Sequence, residues 1–181
     1  MLKLSSLMIM CGILVAMPVH AQNINEPDWR STLTQKLPVF GHRNFIVIAD
    51  SAYPMQSNPG IETIYTGEKQ INVVKEVIAA LEKAVHVSGT IYLDQELEYV
   101  PENNAPGIDA YRVSLNAALG QRTVVRLPHI DIIKKLDESS DLFNVLILKT
   151  DMTLPYTSVF IELGAGYWND QSEAALRESM K

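Results

Sequence analysis

The feature that most constrains this sequence is a five-residue apolar segment, Phe45–Ala49, with turn-forming residues on both sides. Five residues are too few for an independent helix but enough for a buried β-strand. The predicted strand separates two polar residues, since His42 precedes it and Asp50 follows it. Loops that follow strands in α/β sheets are where polar groups converge on a ligand, so Asp50 is the better placed of the two within one subunit. His42 must therefore find its partners elsewhere.

The rest of the sequence alternates between strand and helix patterns. Apolar residues at helical spacing predict a short helix that docks through Trp29 and stops before Pro38, and further helices over residues 68–84, 108–119 and 130–136. Apolar or β-branched runs predict strands over residues 61–66, 85–93, 122–127, 143–148 and 156–163. We expect a solvated connection over residues 94–107 and a polar tail from residue 169 that frays or forms a short surface helix. This order predicts a single α/β domain with a central sheet flanked by helices.

The first 21 residues have the pattern of a cleaved secretory signal. Lys3 precedes an apolar run over residues 7–17, and Val19-His20-Ala21 ends in the small residue that signal peptidase needs. The run is too short to span a membrane, which takes about 20 apolar residues. We therefore expect residues 1–21 to be a signal peptide and residues 22–181 to form the mature, periplasmic or secreted domain.

The charge of the mature chain argues against several classes of partner. Loss of Lys3 with the signal takes the formal net charge from −6 to −7. Nucleic-acid binding requires a basic stripe that displaces counterions from phosphates, and this chain has none. There is also no basic amphipathic helix that would bind an anionic membrane surface. Small neutral or cationic molecules remain as ligands, and we expect no membrane association after signal cleavage.

The mature sequence lacks most of the motifs that mark a catalytic class. Its only cysteine, Cys11, lies in the signal, which excludes a cysteine nucleophile. We find no nucleophile elbow, no phosphate loop, no dinucleotide fingerprint and no histidine pair at metal-ligand spacing. We therefore predict neither a metal nor a cofactor. Proton transfer by His, Asp and Tyr remains, with Arg or Lys as positioning groups.

Two segments of the sequence resemble the D-ribose pyranase and L-fucose mutarotase family. The first is Gly41-His42 followed by Ile46-Val47-Ile48-Ala49-Asp50-Ser51-Ala52-Tyr53-Pro54, and the second is Pro155-Tyr156-Thr157-Ser158-Val159-Phe160-Ile161 with a glycine near its end. The resemblance runs from about residue 33 to residue 166. It implies a cofactor-free enzyme that interconverts ring forms or anomers of a free monosaccharide. It also implies a homo-oligomer with sites between adjacent subunits.

The resemblance also assigns roles to individual residues. His42 matches the catalytic histidine of the family and Asp50 the aspartate that supports it. The residues implied for sugar binding are His129, Tyr156, Ser158, Lys134 and Arg126. Two positions depart from the family, because Ser158 stands where many relatives have asparagine, and Ile133 takes the place of a basic residue, with Lys134 next. Export is a third departure, since the familiar sugar mutarotases are cytoplasmic.

Two other interpretations stay open at this point. The departures at Ser158 and Lys134 also suit a carbohydrate-binding or oligomeric scaffold protein that kept the fold without the chemistry. A small-molecule hydrolase has less support, because the sequence lacks a nucleophile elbow and metal-ligand spacing. A structural role is also open for each residue taken singly, as a turn histidine, an Asx-turn aspartate or a tyrosine completing a strand.

Overall fold

The computed structural model describes residues 28–181, so the signal peptide expected over residues 1–21 lies outside the described residues. The described chain forms a single six-stranded mixed sheet flanked by five helices. The helices are α1 (Trp29–Lys36), α2 (Gln70–Lys83), α3 (Ile108–Leu119), α4 (His129–Ser140) and α5 (Asp170–Ser179). The strands are β1 (Phe45–Ala49), β2 (Ile61–Tyr65), β3 (Val87–Asp94), β4 (Val124–Leu127), β5 (Val145–Lys149) and β6 (Val159–Ala165). The predicted α/β fold class is confirmed.

The strand order in the sheet is β2-β5-β1-β6-β3-β4. β5 pairs in parallel with β1 and β2, and β3 pairs in parallel with β4. β6 is antiparallel to both of its neighbours, β1 and β3. Five strands therefore point one way, and β6 alone runs against them. As a result, the start of β6 lies at the same edge of the sheet as the ends of the other five strands.

The sheet is buried on both faces because alternate residues of its strands point to opposite sides. One face, with Ile46 and Ile48 of β1, packs against α1, α2 and α3. The opposite face, with Phe45 and Val47, packs against α4. All five residues of β1 are buried, as expected for an interior strand with both faces covered.

Two segments differ from the sequence-based expectations, and a third follows one of two expected alternatives. α4 continues to Ser140, beyond the expected end at residue 136, and its last turn buries Ser140. The connection expected to be solvated contains a 3-10 turn, Gln95–Glu98, with Leu97 buried beneath it. The tail forms the surface helix α5, of the two alternatives expected there. None of the helices described over residues 28–181 has the length and apolarity to cross a membrane.

Candidate functional site

The edge where the five strands end and β6 begins collects the polar residues that bear on function. Asp50 follows β1, Asp94 ends β3, and His129 begins α4 directly after β4. Tyr156 and Ser158 immediately precede β6. We call these five residues the edge cluster. This is the position at which open α/β sheets bind ligands, outside the carboxyl ends of the parallel strands.

Asp50 is held by Ser158 and by its own turn. Ser158 Oγ donates to Asp50 Oδ2 at 2.9 Å and accepts from Asp50 N at 3.1 Å. Asp50 Oδ1 accepts from Ala52 N at 2.9 Å, which is an Asx turn. Ser158 is buried whereas Asp50 is half-buried, so the carboxylate is fixed from beneath and keeps a side toward solvent.

Asp94 and His129 form the second pair of the edge cluster. Asp94 is only 1% exposed, and its Oδ2 lies 3.1 Å from His129 Nδ1. The two atoms are close but poorly aligned, and no other described residue donates to either oxygen of Asp94. Burial raises the pKa of Asp94, the His129 imidazole opposes that shift, and the negative charges of Glu96 and Asp50 add to it.

His129 is also fixed through its backbone. Its N–H donates to both carboxylate oxygens of Glu96, at 3.1 and 3.0 Å. A carboxylate at this place satisfies a free N–H of the first turn of α4 and interacts favourably with the helix dipole. The segment that carries Asp94 and Glu96 therefore contacts both the ring and the main chain of His129.

Tyr156 packs against the ring of His129. Its ring meets the imidazole edge-on, with centroids 5.7 Å apart. Tyr156 adopts a left-handed backbone conformation with φ of 57°, which is uncommon for a residue with a side chain. The ring borders an open cavity of about 420 Å³, whose other walls include Tyr99, Val100 and Pro128. Strained backbone of this kind occurs often at functional sites.

Buried polar side chains from α2 and α3 hold the chain that leads into β6. Gln70 Nε2 donates to the carbonyls of Thr157 and Ile48, at 2.7 and 3.2 Å. Tyr111 Oη donates to the same Thr157 carbonyl at 2.7 Å. Both side chains are buried, and hydrogen bonds of this kind specify one arrangement of the backbone in a low-dielectric core. The segment 156–158 is thereby fixed next to Asp50 and Asp94.

His42 lies at the other end of β1 from Asp50. A five-residue strand spans roughly 17 Å, so the two side chains cannot share one ligand within a chain. His42 sits on a turn in which Arg43 has φ of 74° and donates its N–H to the Leu163 carbonyl at 2.8 Å. It borders a groove of about 530 Å³, here called the His42 groove, lined also by Ser88, Thr90, Glu162, Gly164 and Trp168.

Glu162, which lines the His42 groove, belongs to a charged pair. Glu162 Oε2 lies 2.9 Å from Lys135 Nζ and accepts from Tyr92 Oη at 2.9 Å. Burial and the bond to Glu162 raise the pKa of Tyr92. The groove therefore combines an imidazole, a carboxylate paired with a lysine, and the Trp168 indole. Its lining includes polar side chains, unlike the apolar core of the sheet.

The structure thus brings together four of the residues singled out by sequence, namely Asp50, His129, Tyr156 and Ser158. The other three lie elsewhere. His42 is at the opposite end of β1, and Lys134 lines a separate cavity between α4 and the loop after β1. Arg126 on β4 forms an exposed ion pair in which its Nε lies 3.0 Å from Glu98 Oε1.

Sequence reasoning missed three residues of this site. Asp94 was counted with a solvated connection, although it follows an apolar strand just as Asp50 does, and that parallel was the available signal. Glu96 and Gln70 act through backbone groups that are distant in sequence, so no local pattern marks them. Over residues 28–181, no group of three or more His, Cys, Asp or Glu residues has the arrangement of a metal site.

Comparison with known proteins identifies the fold. RbsD of Bacillus subtilis, solved in complex with D-ribose, superposes with a TM-score of 0.51 at 20% identity, over 75% of this chain and 92% of that one. FucU of Bifidobacterium longum gives 0.51 at 15% identity, over 74% and 94%. The fucose mutarotase of Streptococcus pneumoniae, in complex with L-fucose, gives 0.50 at 19% identity, over 74% and 91%. No protein-family model and no curated protein matches the sequence.

The burial of Asp94 predicts a specific dependence of stability on pH. The raised pKa of the folded state lies above the value of about 3.9 in an unfolded chain, so the folded state binds more protons between the two values. Stability of the wild type therefore falls as pH rises through that interval. Asp94→Asn removes this titration, and we expect the variant to gain stability relative to the wild type as pH rises.

Urea unfolding of both proteins across the acidic range measures this difference. The matched control is Glu98→Gln, which removes an exposed carboxylate of the same segment. A surface carboxylate contributes little to stability, so the control should follow the wild type. The interpretation is wrong if Asp94→Asn loses stability relative to the wild type as pH rises.

Proposed function

We propose, from the fold that this chain shares with RbsD and the fucose mutarotases, that it interconverts ring forms or anomers of a free aldose without a cofactor. The observation that carries the proposal is the edge cluster, where two carboxylates, a histidine and a tyrosine converge at the ligand-binding edge of that fold. Two of the fold neighbours hold D-ribose and L-fucose, which supports a small sugar as the ligand.

The chemistry requires only proton transfer. A base takes the proton of the anomeric hydroxyl, the electron pair forms the C1 carbonyl, and the bond from C1 to the ring oxygen breaks. The ring oxygen then takes a proton from an acid. The reverse steps close the open-chain sugar to either ring size and to either anomer. Histidine suits both roles near neutral pH, and general acid–base catalysis contributes about 10²–10⁴-fold.

The edge cluster supplies groups for one side of this reaction. The exposed side of His129 and the Tyr156 ring contact the sugar in our proposal, with the Tyr156 hydroxyl as a hydrogen-bonding group. Asp50 acts as the carboxylate that supports proton transfer, and Ser158 Oγ holds it by donating to Oδ2 and accepting from the Asp50 backbone N–H. Lys134 and Arg126 do not face this cluster within the chain, so any contact they make with sugar comes from another subunit.

We further propose that a second copy of the chain completes the site. His42 matches the catalytic position of the resembling family, yet it lies at the end of β1 opposite the edge cluster. The His42 groove has a volume of about 530 Å³, and we propose that the edge of another subunit approaches His42 there. In a homo-oligomer of this kind each site takes His42 from one subunit and the edge cluster from the next.

Exchange spectroscopy tests the activity. With ribose, fucose and a wider panel of aldoses, we expect the protein to accelerate exchange between the NMR signals of the anomers. His42→Ala should lose about 10²-fold or more of that acceleration, because the general acid or base is gone. His86→Gln is the matched control, since His86 Nε2 binds the Leu37 carbonyl at 3.0 Å and has a structural role. No acceleration across the panel would contradict the proposed activity.

One observation favours a second candidate, a carbohydrate-binding or scaffold protein without catalysis. Both carboxylate oxygens of Asp50 already accept hydrogen bonds within the chain, from Ser158 and Ala52. An aspartate with both oxygens hydrogen-bonded in this way could equally have a structural role in stabilising the turn. Calorimetry separates the two functions: sugar binding that His42→Ala leaves unchanged, together with no accelerated exchange, would establish the binding protein.

Mixing two inactive variants tests whether the site is shared. His42→Ala and Tyr156→Ala remove opposite halves of the proposed site. After unfolding and refolding in an equal mixture, about one quarter of the sites should combine two intact halves. We expect exchange activity to return to that fraction of the wild type. If the mixture is no more active than the separate variants, the site does not span two subunits.

We also propose export, which the sequence pattern of residues 1–21 supports. Expression of the full chain in a bacterium, followed by fractionation, should give a periplasmic or secreted protein. Intact-mass measurement should place its first residue at Gln22. Ala21→Arg should block cleavage, because signal peptidase needs a small residue at that position. Full-length protein retained in the cytoplasm would contradict export.

A further inference from the structure

We infer that Asp94 is a positioning residue that holds the Nδ1–H of His129 and thereby presents a bare Nε2 to the sugar. This inference rests on the proposed function for its catalytic part, whereas the orientation of the imidazole can be tested without it. Neither the sequence motifs nor the fold comparison assigns a role to Asp94.

The burial of the two side chains separates their roles. Asp94 is 1% exposed, so it cannot itself contact a ligand. The side chain of His129 is 41% exposed, but its Nδ1 is buried and lies 3.1 Å from Asp94 Oδ2. We place Nε2 on the exposed part of the ring, and Tyr156 packs against the same ring with centroids 5.7 Å apart. One nitrogen faces the aspartate and the other faces the place proposed for the sugar.

The chemistry of the pair then selects the tautomer. At a pH above its raised pKa, Asp94 is a carboxylate that only accepts hydrogen bonds, so the ring nitrogen that faces it carries the proton. In a neutral imidazole the other nitrogen then has a free lone pair, which can take the proton of an anomeric hydroxyl. When Nε2 takes that proton the ring becomes an imidazolium, and the adjacent carboxylate stabilises its charge.

The surroundings of Asp94 offer no competing explanation for a charged side chain there. Its other near ionisable neighbours, Glu96 and Asp50, are acidic and disfavour its ionised form. No described residue donates a hydrogen bond to either of its oxygens in good geometry. A buried carboxylate in such a place costs stability. Among the groups that shift the pKa of Asp94, the imidazole of His129 alone favours the ionised form, so the geometry serves the orientation of that ring.

Glu96 supports the same conclusion from the backbone. Both of its carboxylate oxygens accept from His129 N, which fixes the first residue of α4 relative to the segment after β3. Asp94 then acts on a ring whose main chain is already anchored to that segment. A small rotation of the imidazole aligns Nδ1–H with Oδ2, which a bound sugar can bring about from the Nε2 side.

Nitrogen NMR of protein labelled with ¹⁵N-histidine tests the orientation directly. At about pH 8.5 an ordinary histidine is neutral, and the shifts of its two nitrogens report which one carries the proton. We expect His129 in the wild type to carry it on Nδ1, with the signal assigned by its absence from His129→Gln. In Asp94→Asn, which is isosteric, we expect this preference to be lost. Asp94→Ser, which is smaller, provides a second variant if the first does not fold.

The kinetic test uses the same variants with the sugar that exchanges fastest. We expect kcat to fall about 10–100-fold in Asp94→Asn, as for other partners of a functional histidine, and KM to change little. Glu98→Gln, which removes an exposed carboxylate on the same segment, should change neither the tautomer nor kcat. An unchanged tautomer, or an unchanged kcat in an active protein, would overturn the inference.

The outcomes separate this inference from the proposed function. If the wild type does not accelerate exchange but the His129 tautomer depends on Asp94, the positioning role stands and the mutarotase proposal fails. If the wild type accelerates exchange and Asp94→Asn behaves like the wild type in both measurements, the mutarotase proposal is supported and the positioning role of Asp94 is wrong.

Discussion

The antiparallel pairing of β6 with β1 and β3 is the constraint on which the rest of this structure depends. Val159 pairs with Ile48 on one side and with Leu93 on the other. The residues just before β6 therefore lie between the ends of two strands that run the opposite way. Because Asp50 and Asp94 follow those strand ends, Ser158 and Tyr156 come to rest between two carboxylates. A parallel β6 would have placed the same residues at the far edge of the sheet.

The same pairing separates the candidate site into two parts. β1 is buried along its whole length and carries no polar side chain between its ends. His42 and Asp50 are thus held apart by a rigid apolar strand, and each is fixed by its own turn. The left-handed residues Arg43 and Tyr156 lie at opposite ends of the sheet, one near each part. This geometry is what makes a second copy of the chain relevant to function.

The edge cluster carries a cost that the apolar core has to offset. Asp94 is buried without an aligned donor, and the buried Tyr53 hydroxyl has no hydrogen-bond partner among the described residues. By contrast, Gln70 and Tyr111 satisfy the Thr157 carbonyl from the other side of the sheet. Buried polar groups with hydrogen-bond partners thus lie around a few that have none. Such a distribution is typical of sites in which stability is given up for a particular arrangement of side chains.

Much of the fold could be predicted from local patterns. The limits of β1 and α3 were predicted to the residue, because an uninterrupted apolar run and a helical stripe that ends at Gly120 are both local signals. α4 was predicted too short, since the pattern of its last turn is polar and its end depends on what surrounds it. The segment after β3 was misjudged for a similar reason: its acidic residues suggested solvent, whereas Asp94 and Leu97 are buried by neighbouring elements.

The sequence by itself determined the fold class and the chemistry available, because residue type and spacing are properties of the chain alone, and the family resemblance singled out most residues of the edge cluster. Only the tertiary structure decided which of them meet. The strand order, the reversed direction of β6 and the burial of Asp94 against His129 all depend on contacts between residues far apart in sequence. Such contacts arise from the packing of the whole sheet and leave no periodic pattern in any one segment.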